Sequence, residues 1–218
     1  ILHINENGIG VDIVISKIDT SGGKLLLSSP FTDWVIDWPG SFIALNTRPS
    51  GGVEGNLYFV DETNGVLTKI LSGIKSLTSK VNSDGSLVLY SQKRSIGNGF
   101  STHIYETKEN QSFVVNFTTL PEKCAWLTSD VKTLICGVPS EVPQGIYPDS
   151  WYKGKVSFND KIWIFNTETQ ESDILFDPET ETLSTQLDVY EPVVSFDEKY
   201  FLFLNKKDST LWSLRLRS

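Results

Sequence analysis

The sequence predicts an all-β fold, and three observations support it. First, a short pattern occurs four times in the 218 residues: an apolar run, a tight polar turn and a second apolar run, which is typical of a β-hairpin. Second, the turns are 45, 46 and 67 residues apart, at Pro39, Asp84, Asp130 and Asp197. Third, no segment keeps the apolar spacing of a helix for more than a turn or two. A repeat of 40 to 50 residues with several strands predicts the four-stranded antiparallel blades of a β-propeller.

Each repeat continues beyond its hairpin into a third strand, and the first three continue into a fourth. The four hairpins occupy residues 36–47, 81–92, 127–138 and 194–205. The four predicted blades cover residues 31–71, 74–117, 120–177 and 188–218 of a single domain, residues 1–218. The unit is therefore a four-stranded antiparallel meander.

Both ends of the chain are expected to interrupt a blade. Residues 11–28 match only the third and fourth strands of a further blade, an N-terminal half-blade, and the last repeat stops before its fourth strand. Since an unpaired strand edge invites aggregation, either the two ends close a ring of about five blades or the chain is the C-terminal portion of a larger ring. We favour the larger ring, in which the chain contacts further blades or chains. The first residue, Ile1, and the lack of methionine also predict a piece of a longer polypeptide.

The turn and strand sequences resemble a known repeat family. The segments "SDGSLVLYSQ" (83–92), "SFDEKYFLFLNK" (195–206) and "STLWSL" (209–214) resemble the propeller repeats of TolB-like proteins and of the N-terminal domains of prolyl-oligopeptidase-type enzymes. This resemblance extends over nearly the whole chain and implies a β-propeller. It implies no single function, because such repeats serve scaffolds, surface proteins and peptidase gates alike.

Composition and motifs exclude several classes of function. With 19 basic and 27 acidic residues the formal charge is -8, which disfavours nucleic acid as a partner. No apolar run approaches the roughly 20 residues that span a membrane. The only histidines are His3 and His103, and no G-x-S-x-G motif is present, so neither a serine hydrolase triad nor a histidine metal site is predicted. Calcium-loop motifs are also missing, and no metal or cofactor is expected.

Carboxylates remain as candidates for catalysis, because a glycosidase needs only two that face one sugar. The acidic residues at strand starts and turns are Asp33, Asp37, Asp84, Asp130 and Asp197. Aspartate at such positions commonly supports the turn through its own backbone, and we favour this structural role.

The third blade is longer than the others and provides the candidate binding site. From hairpin turn to third strand the four repeats use 18, 19, 32 and 14 residues, measured from Pro39 to Leu57, Asp84 to His103, Asp130 to Ile162 and Asp197 to Leu211. The inserted loop contains the candidate binding residues Tyr147, Asp149, Trp151, Tyr152 and Lys153. Loops on a rigid scaffold are where binding is usually built. The alternative is that Trp151 and Tyr152 fold back to cover a blade edge.

Two other loops are expected on the same face of the propeller. Residues 46–56 carry Arg48 and residues 93–102 carry Lys93 and Arg94, and these basic residues are candidate ligands for a carboxylate. The alternative is that their side chains are only solvated.

The two cysteines, Cys124 and Cys136, flank the third hairpin symmetrically about Asp130. They are candidates for a cross-strand disulfide, which implies an oxidising compartment; the alternative is two buried thiols.

These observations favour a non-catalytic binding or scaffold module that contacts a protein or peptide at the cell envelope or outside the cell. The alternative is a propeller associated with an enzyme, either the gate of a hydrolase or a carbohydrate-active ring that uses channel carboxylates.

Overall fold

A computed structural model describes residues 1–96, 99–180 and 185–216 and contains five antiparallel sheets in chain order. The first sheet contains β1 (Leu2–Glu6), β2 (Val11–Ile15) and β3 (Lys24–Ser29). The second contains β4 (Trp34–Asp37), β5 (Phe42–Thr47), β6 (Glu54–Asp61) and β7 (Leu67–Lys75). The third contains β8 (Thr78–Val81), β9 (Leu87–Lys93), β10 (Phe100–Glu106) and β11 (Gln111–Val114).

The fourth and fifth sheets complete the fold. The fourth contains β12 (Cys124–Trp126), β13 (Thr133–Pro139), β14 (Asp160–Asn166) and β15 (Ser172–Phe176). The fifth contains β16 (Val189–Val194), β17 (Tyr200–Asn205) and β18 (Thr210–Arg215). Helical structure in the described residues is limited to a 3₁₀ turn (Pro121–Lys123) and the one-turn helix α1 (Asp149–Tyr152). Neither is long and apolar enough to cross a membrane.

Consecutive sheets pack face to face, which explains why the central strands are apolar on both faces. Successive side chains of a strand point to opposite faces, so Val88 packs toward the second sheet and Leu89 toward the fourth. Each gap between neighbouring sheets holds one cluster, formed around Ile13 and Ile43, Leu57 and Val88, Leu89 and Leu134, and Ile135 and Phe201. The first strands of neighbouring sheets, such as β8, β12 and β16, also contact one another and line the inside of the arrangement.

The first sheet has one strand more than the sequence predicted. The half-blade of residues 11–28 corresponds to β2 and β3, and β1 pairs with β2 from Leu2 opposite Ile15 to Glu6 opposite Val11. Sequence analysis did not assign β1, because only two of its five residues are apolar and its last three are exposed. The chain continues directly from β3 into the first strand of the second sheet.

Candidate functional site on the loop face

The insertion of the third repeat lies between β13 and β14, in the fourth sheet, and crosses to loops of other sheets. Its Asp149 carboxylate accepts a hydrogen bond from the backbone N–H of Gly51, which precedes β6 of the second sheet. The ring of Tyr147 is centred 4.9 Å from that of Phe100, at the start of β10 in the third sheet. The insertion therefore joins the second, third and fourth sheets on one face of the molecule.

The inner side of the insertion is aromatic and buried. Trp151 is 0% exposed, Phe158 1% and Tyr147 3%, and they form a cluster with Phe100 and Leu120. Tyr147 and Trp151 are two of the predicted binding residues, and their burial corresponds to the alternative in which the loop packs on its own propeller. Large aromatic side chains contribute most to a packed core when they are fully buried, and here they hold the insertion in place.

A buried ionic cluster lies beneath these rings, and sequence analysis missed it. The fully buried Lys123 places Nζ 2.7 Å from Asp160 Oδ2 and 2.5 Å from Asp188 Oδ1. These three residues lie at the loop-face starts of β12, β14 and β16. No sequence motif marks them, since each is a single charge beside a strand.

Hydrogen bonds connect the ionic cluster to the insertion. Asp188 accepts from Trp151 Nε1 at 3.0 Å, from Ser157 Oγ at 3.0 Å and from the Phe158 N–H at 3.1 Å. A buried carboxylate is stable only when its oxygens are paired and hydrogen-bonded. Asp188 therefore fixes the second half of the insertion, from Trp151 to Phe158, to the fifth sheet.

Asp160 is less completely paired than Asp188. Its Oδ2 also accepts from the Val189 N–H at 2.7 Å, whereas Oδ1 is buried without a hydrogen-bond partner. Burial raises the pKa of Asp160 to about 6, against the opposing effect of Lys123. This carboxyl therefore titrates well above the ordinary range of an aspartate.

The outer side of the insertion is exposed. Ile146 is 65% exposed and Tyr152 41%, and Lys153 Nζ lies 3.2 Å from Asp149 Oδ1. The hydroxyl of Tyr152 donates to Glu122 Oε1, and desolvation of this hydroxyl together with the Glu122 charge raises the pKa of Tyr152. Of the candidate residues in the insertion, Tyr152 and Lys153 are thus the ones available to a partner.

The predicted convergence of three loops forms two adjoining hollows, which we call the three-loop cleft. The first, of about 160 Å³, is lined by Gly51, Gly52, Ser76, Lys93, Gly99, Gly145, Ile146 and Tyr147. The second, of about 140 Å³, is lined by Arg94, Gly99, Phe100, Val142, Pro143 and Gln144. A Cβ atom on Gly51 would lie 2.1 Å from Ile146 Cγ2, so the close approach of these two loops requires glycine there.

The two candidate arginines occupy different positions. Arg94 lines the second hollow and directs Nη2 to Thr118 Oγ1 at 3.4 Å. The side chain of Arg48 is 69% exposed, with Nε 3.5 Å from Asp33 Oδ1, and it lines neither hollow. Lys93, the third basic residue of these loops, lines the first hollow.

The hairpin aspartates support their turns. Asp84 Oδ1 accepts from the Ser86 N–H at 2.9 Å and Oγ at 2.6 Å, and Asp130 Oδ1 from the Lys132 N–H at 3.1 Å. Asp197 Oδ1 accepts from Ser195 Oγ at 2.8 Å, which lowers the pKa of Asp197. These bonds are those expected of turn aspartates.

The buried histidine has a structural environment. His103 is buried against the ring of Tyr90, with centroids 5.0 Å apart, and its Nε2 lies 2.8 Å from Ser101 Oγ. Burial lowers the pKa of His103. Within residues 1–96, 99–180 and 185–216, no group of three or more histidine, cysteine, aspartate or glutamate side chains is arranged to hold a metal ion.

The two cysteines lie directly opposite each other. Cys124 in β12 pairs in register with Cys136 in β13, and their sulfur atoms are bonded. The disulfide joins the first two strands of the fourth sheet at the end from which the insertion begins.

Comparison with known proteins identifies the fold. No family model and no curated protein matches the sequence. TolB from Acinetobacter baumannii superposes with a TM-score of 0.59 and 16% identity, over 100% of this chain and 53% of that one. An oligogalacturonate lyase in complex with manganese superposes with a TM-score of 0.61 and 12% identity, over 95% of this chain and 55% of that one. The β-propeller domain of the Trilobed protease from Pyrococcus furiosus superposes with a TM-score of 0.53 and 14% identity, over 100% of this chain and 65% of that one.

These likenesses confirm the predicted fold class, a TolB-like β-propeller. The chain spans 53 to 65% of the lengths of these three structures. Because the three bear different functional names, the fold alone assigns no activity.

Proposed function

We propose that this chain, which has a TolB-like β-propeller fold, is a non-catalytic binding module that captures a protein or peptide on its loop face. The observation that carries the proposal is the three-loop cleft, in which loops of the second and third sheets meet the insertion of the fourth. Ile146, which lines the first hollow, has a side chain that is 65% exposed.

The buried side of the insertion supports this proposal. Since Trp151 and Asp188 hold the loop from beneath, the exposed side chains above them are ordered before a partner arrives. A preorganised surface loses less conformational entropy on binding than a mobile one. The insertion side of the cleft is therefore preorganised for recognition.

We also propose that the protein works at the cell envelope or outside the cell. The supporting observation is the bond between Cys124 and Cys136, because disulfides form and persist in oxidising compartments. Intact mass before and after reduction, measured on protein isolated under alkylating conditions from its native source, tests the location. Two free thiols in the isolated protein would contradict it.

The binding proposal is tested by cross-linking and affinity capture from native envelope extract. Ile146→Asp places a charge on the exposed rim, and Val66→Asp is the matched control, since Val66 is 57% exposed in the loop between β6 and β7. We expect the Ile146 variant to lose partners that the wild type and the control retain, at an unchanged melting temperature. Equal capture by all three proteins would contradict the proposal.

A propeller associated with an enzyme is the second candidate. It is favoured by the likeness to the propeller domain of a protease and to a lyase. The native polypeptide distinguishes the candidates: a hydrolase domain in the same polypeptide would make this propeller a gate. Cleavage of an acidic polysaccharide by the purified chain, lost when Asp37 at the end of β4 is replaced, would support a carbohydrate-active ring.

A further inference from the structure

The size of the three-loop cleft restricts what it can bind. The hollows measure about 160 and 140 Å³ and share Gly99 as a common wall. Sites for small molecules and cofactors usually enclose about 300 to 1,000 Å³. Each hollow therefore has the size for one side chain, and two adjoining hollows fit two side chains of one extended segment.

The charge at the cleft defines the chemistry of that segment. Lys93 lines the first hollow and Arg94 the second, and among the described residues neither forms an ion pair with a carboxylate within 4.0 Å. The exposed Glu141 of the insertion is among the carboxylates that form no ion pair with Lys93 or Arg94. The two cations are therefore free to receive carboxylates from a ligand.

We propose that the partner presents an extended acidic peptide with one aspartate or glutamate side chain in each hollow. The first pairs with Lys93 and packs its methylene groups against Ile146, and the second pairs with Arg94. This inference rests on the proposed binding function and specifies its ligand. Arginine and lysine form their strongest hydrogen bonds with carboxylates. The net charge of -8 does not prevent this contact, because exposed charges beyond about 8 Å are largely screened at physiological salt.

A random-sequence peptide library displayed on phage tests the proposal with the intact chain. The wild type is compared with a double variant, Lys93→Glu and Arg94→Glu, and with Ile146→Asp. Lys17→Glu with Lys108→Glu is the control of equal charge, since both lysines are exposed in turns between the last two strands of their sheets. Selected peptides are sequenced, and their affinities are measured at low and high salt.

We expect the wild type and the control to enrich aspartate and glutamate, and the cleft double variant to bind the selected peptides at least about tenfold more weakly at low salt. Ile146→Asp should also weaken the binding of the selected peptides. Selected peptides that are neutral or basic, and that still depend on Ile146, would overturn the acidic ligand and leave the binding function standing. Peptides that bind Ile146→Asp as well as the wild type, or no enrichment at all, would overturn both proposals.

Discussion

The two sides of the insertion differ although they belong to the same short segment. In α1, Trp151 is fully buried, whereas its neighbour Tyr152 is 41% exposed. The same holds for Tyr147, at 3%, and Ile146, at 65%. The difference shows that one side of the loop packs into the fold while the other is exposed to solvent, and that aromatic character alone does not distinguish them.

The largest effect should come from removing the cation beneath the inner side. Lys123→Ala leaves Asp160 and Asp188 buried without their counter-ion, and breaking a buried pair in this way costs about 3–5 kcal/mol. Denaturant unfolding measures the loss. Lys155→Ala, at an exposed position of the same insertion, is the control and should change stability by less than about 0.5 kcal/mol.

The contrast between the two sides would fail if both lysine variants unfolded at the same denaturant concentration. Such a result would mean that the ionic cluster does not hold the insertion in place.

The same cluster predicts an unusual dependence of stability on pH. The pKa of Asp160 is raised by burial to about 6, so the folded state keeps a proton that the unfolded chain releases near pH 4. The free energy of unfolding should therefore fall as pH rises from about 4 to about 6, by on the order of 3 kcal/mol. Asp160→Asn should remove this dependence in a series of melting curves.

Glu198 provides the opposite case. Hydrogen bonds from Ser129 and Thr128 lower the pKa of Glu198 to about 2, so its contribution to stability is present above pH about 4.5 and is lost as pH falls toward 2. Glu198→Gln should therefore reduce the dependence of the melting temperature on pH only at pH values below the range in which Asp160 titrates. A stability that rises between pH 4 and 6 in both variants would contradict the role given to Asp160.

The disulfide should contribute about 3 kcal/mol. Cys124 and Cys136 are 12 residues apart, and the chain-entropy model gives that value for a loop of similar length. The double variant Cys124→Ala with Cys136→Ala should unfold at lower denaturant concentration than the oxidised wild type. If reduction of the wild type does not lower its stability, the bond does not constrain the chain.

The smallest change in stability is expected on the outer side. Lys153→Ala removes an exposed ion pair with Asp149, and such pairs contribute about 0–1 kcal/mol. A calorimetric melting temperature close to that of the wild type is the expected result. A loss as large as that of Lys123→Ala would place Lys153 among the residues that support the fold.

Sequence reasoning predicted the propeller because its signals are local and repeated. The hairpin turns at Asp84 and Asp130 bond to the residues that follow them, so the pattern is readable from a short window. The small number of apolar residues hid β1 (Leu2–Glu6), whose pairing with β2 depends on tertiary context.

The candidate site was only partly predictable, because it depends on contacts between distant residues. The convergence of the loops followed from propeller topology. The pairing of Lys123 with Asp188 spans 65 residues, and no spacing rule connects them. Burial of Trp151 against Asp188 is equally non-local, so the sequence could not decide which aromatic residue of the loop faced solvent.

The most direct measurement compares Trp151→Ala with Ile146→Asp for unfolding free energy and for capture of the same cross-linked partner. Trp151→Ala should lose about 3–5 kcal/mol of stability, whereas Ile146→Asp should lose capture and keep its stability. If Trp151→Ala leaves stability intact, or Ile146→Asp leaves capture intact, the division of the insertion into a structural and a recognition side is wrong.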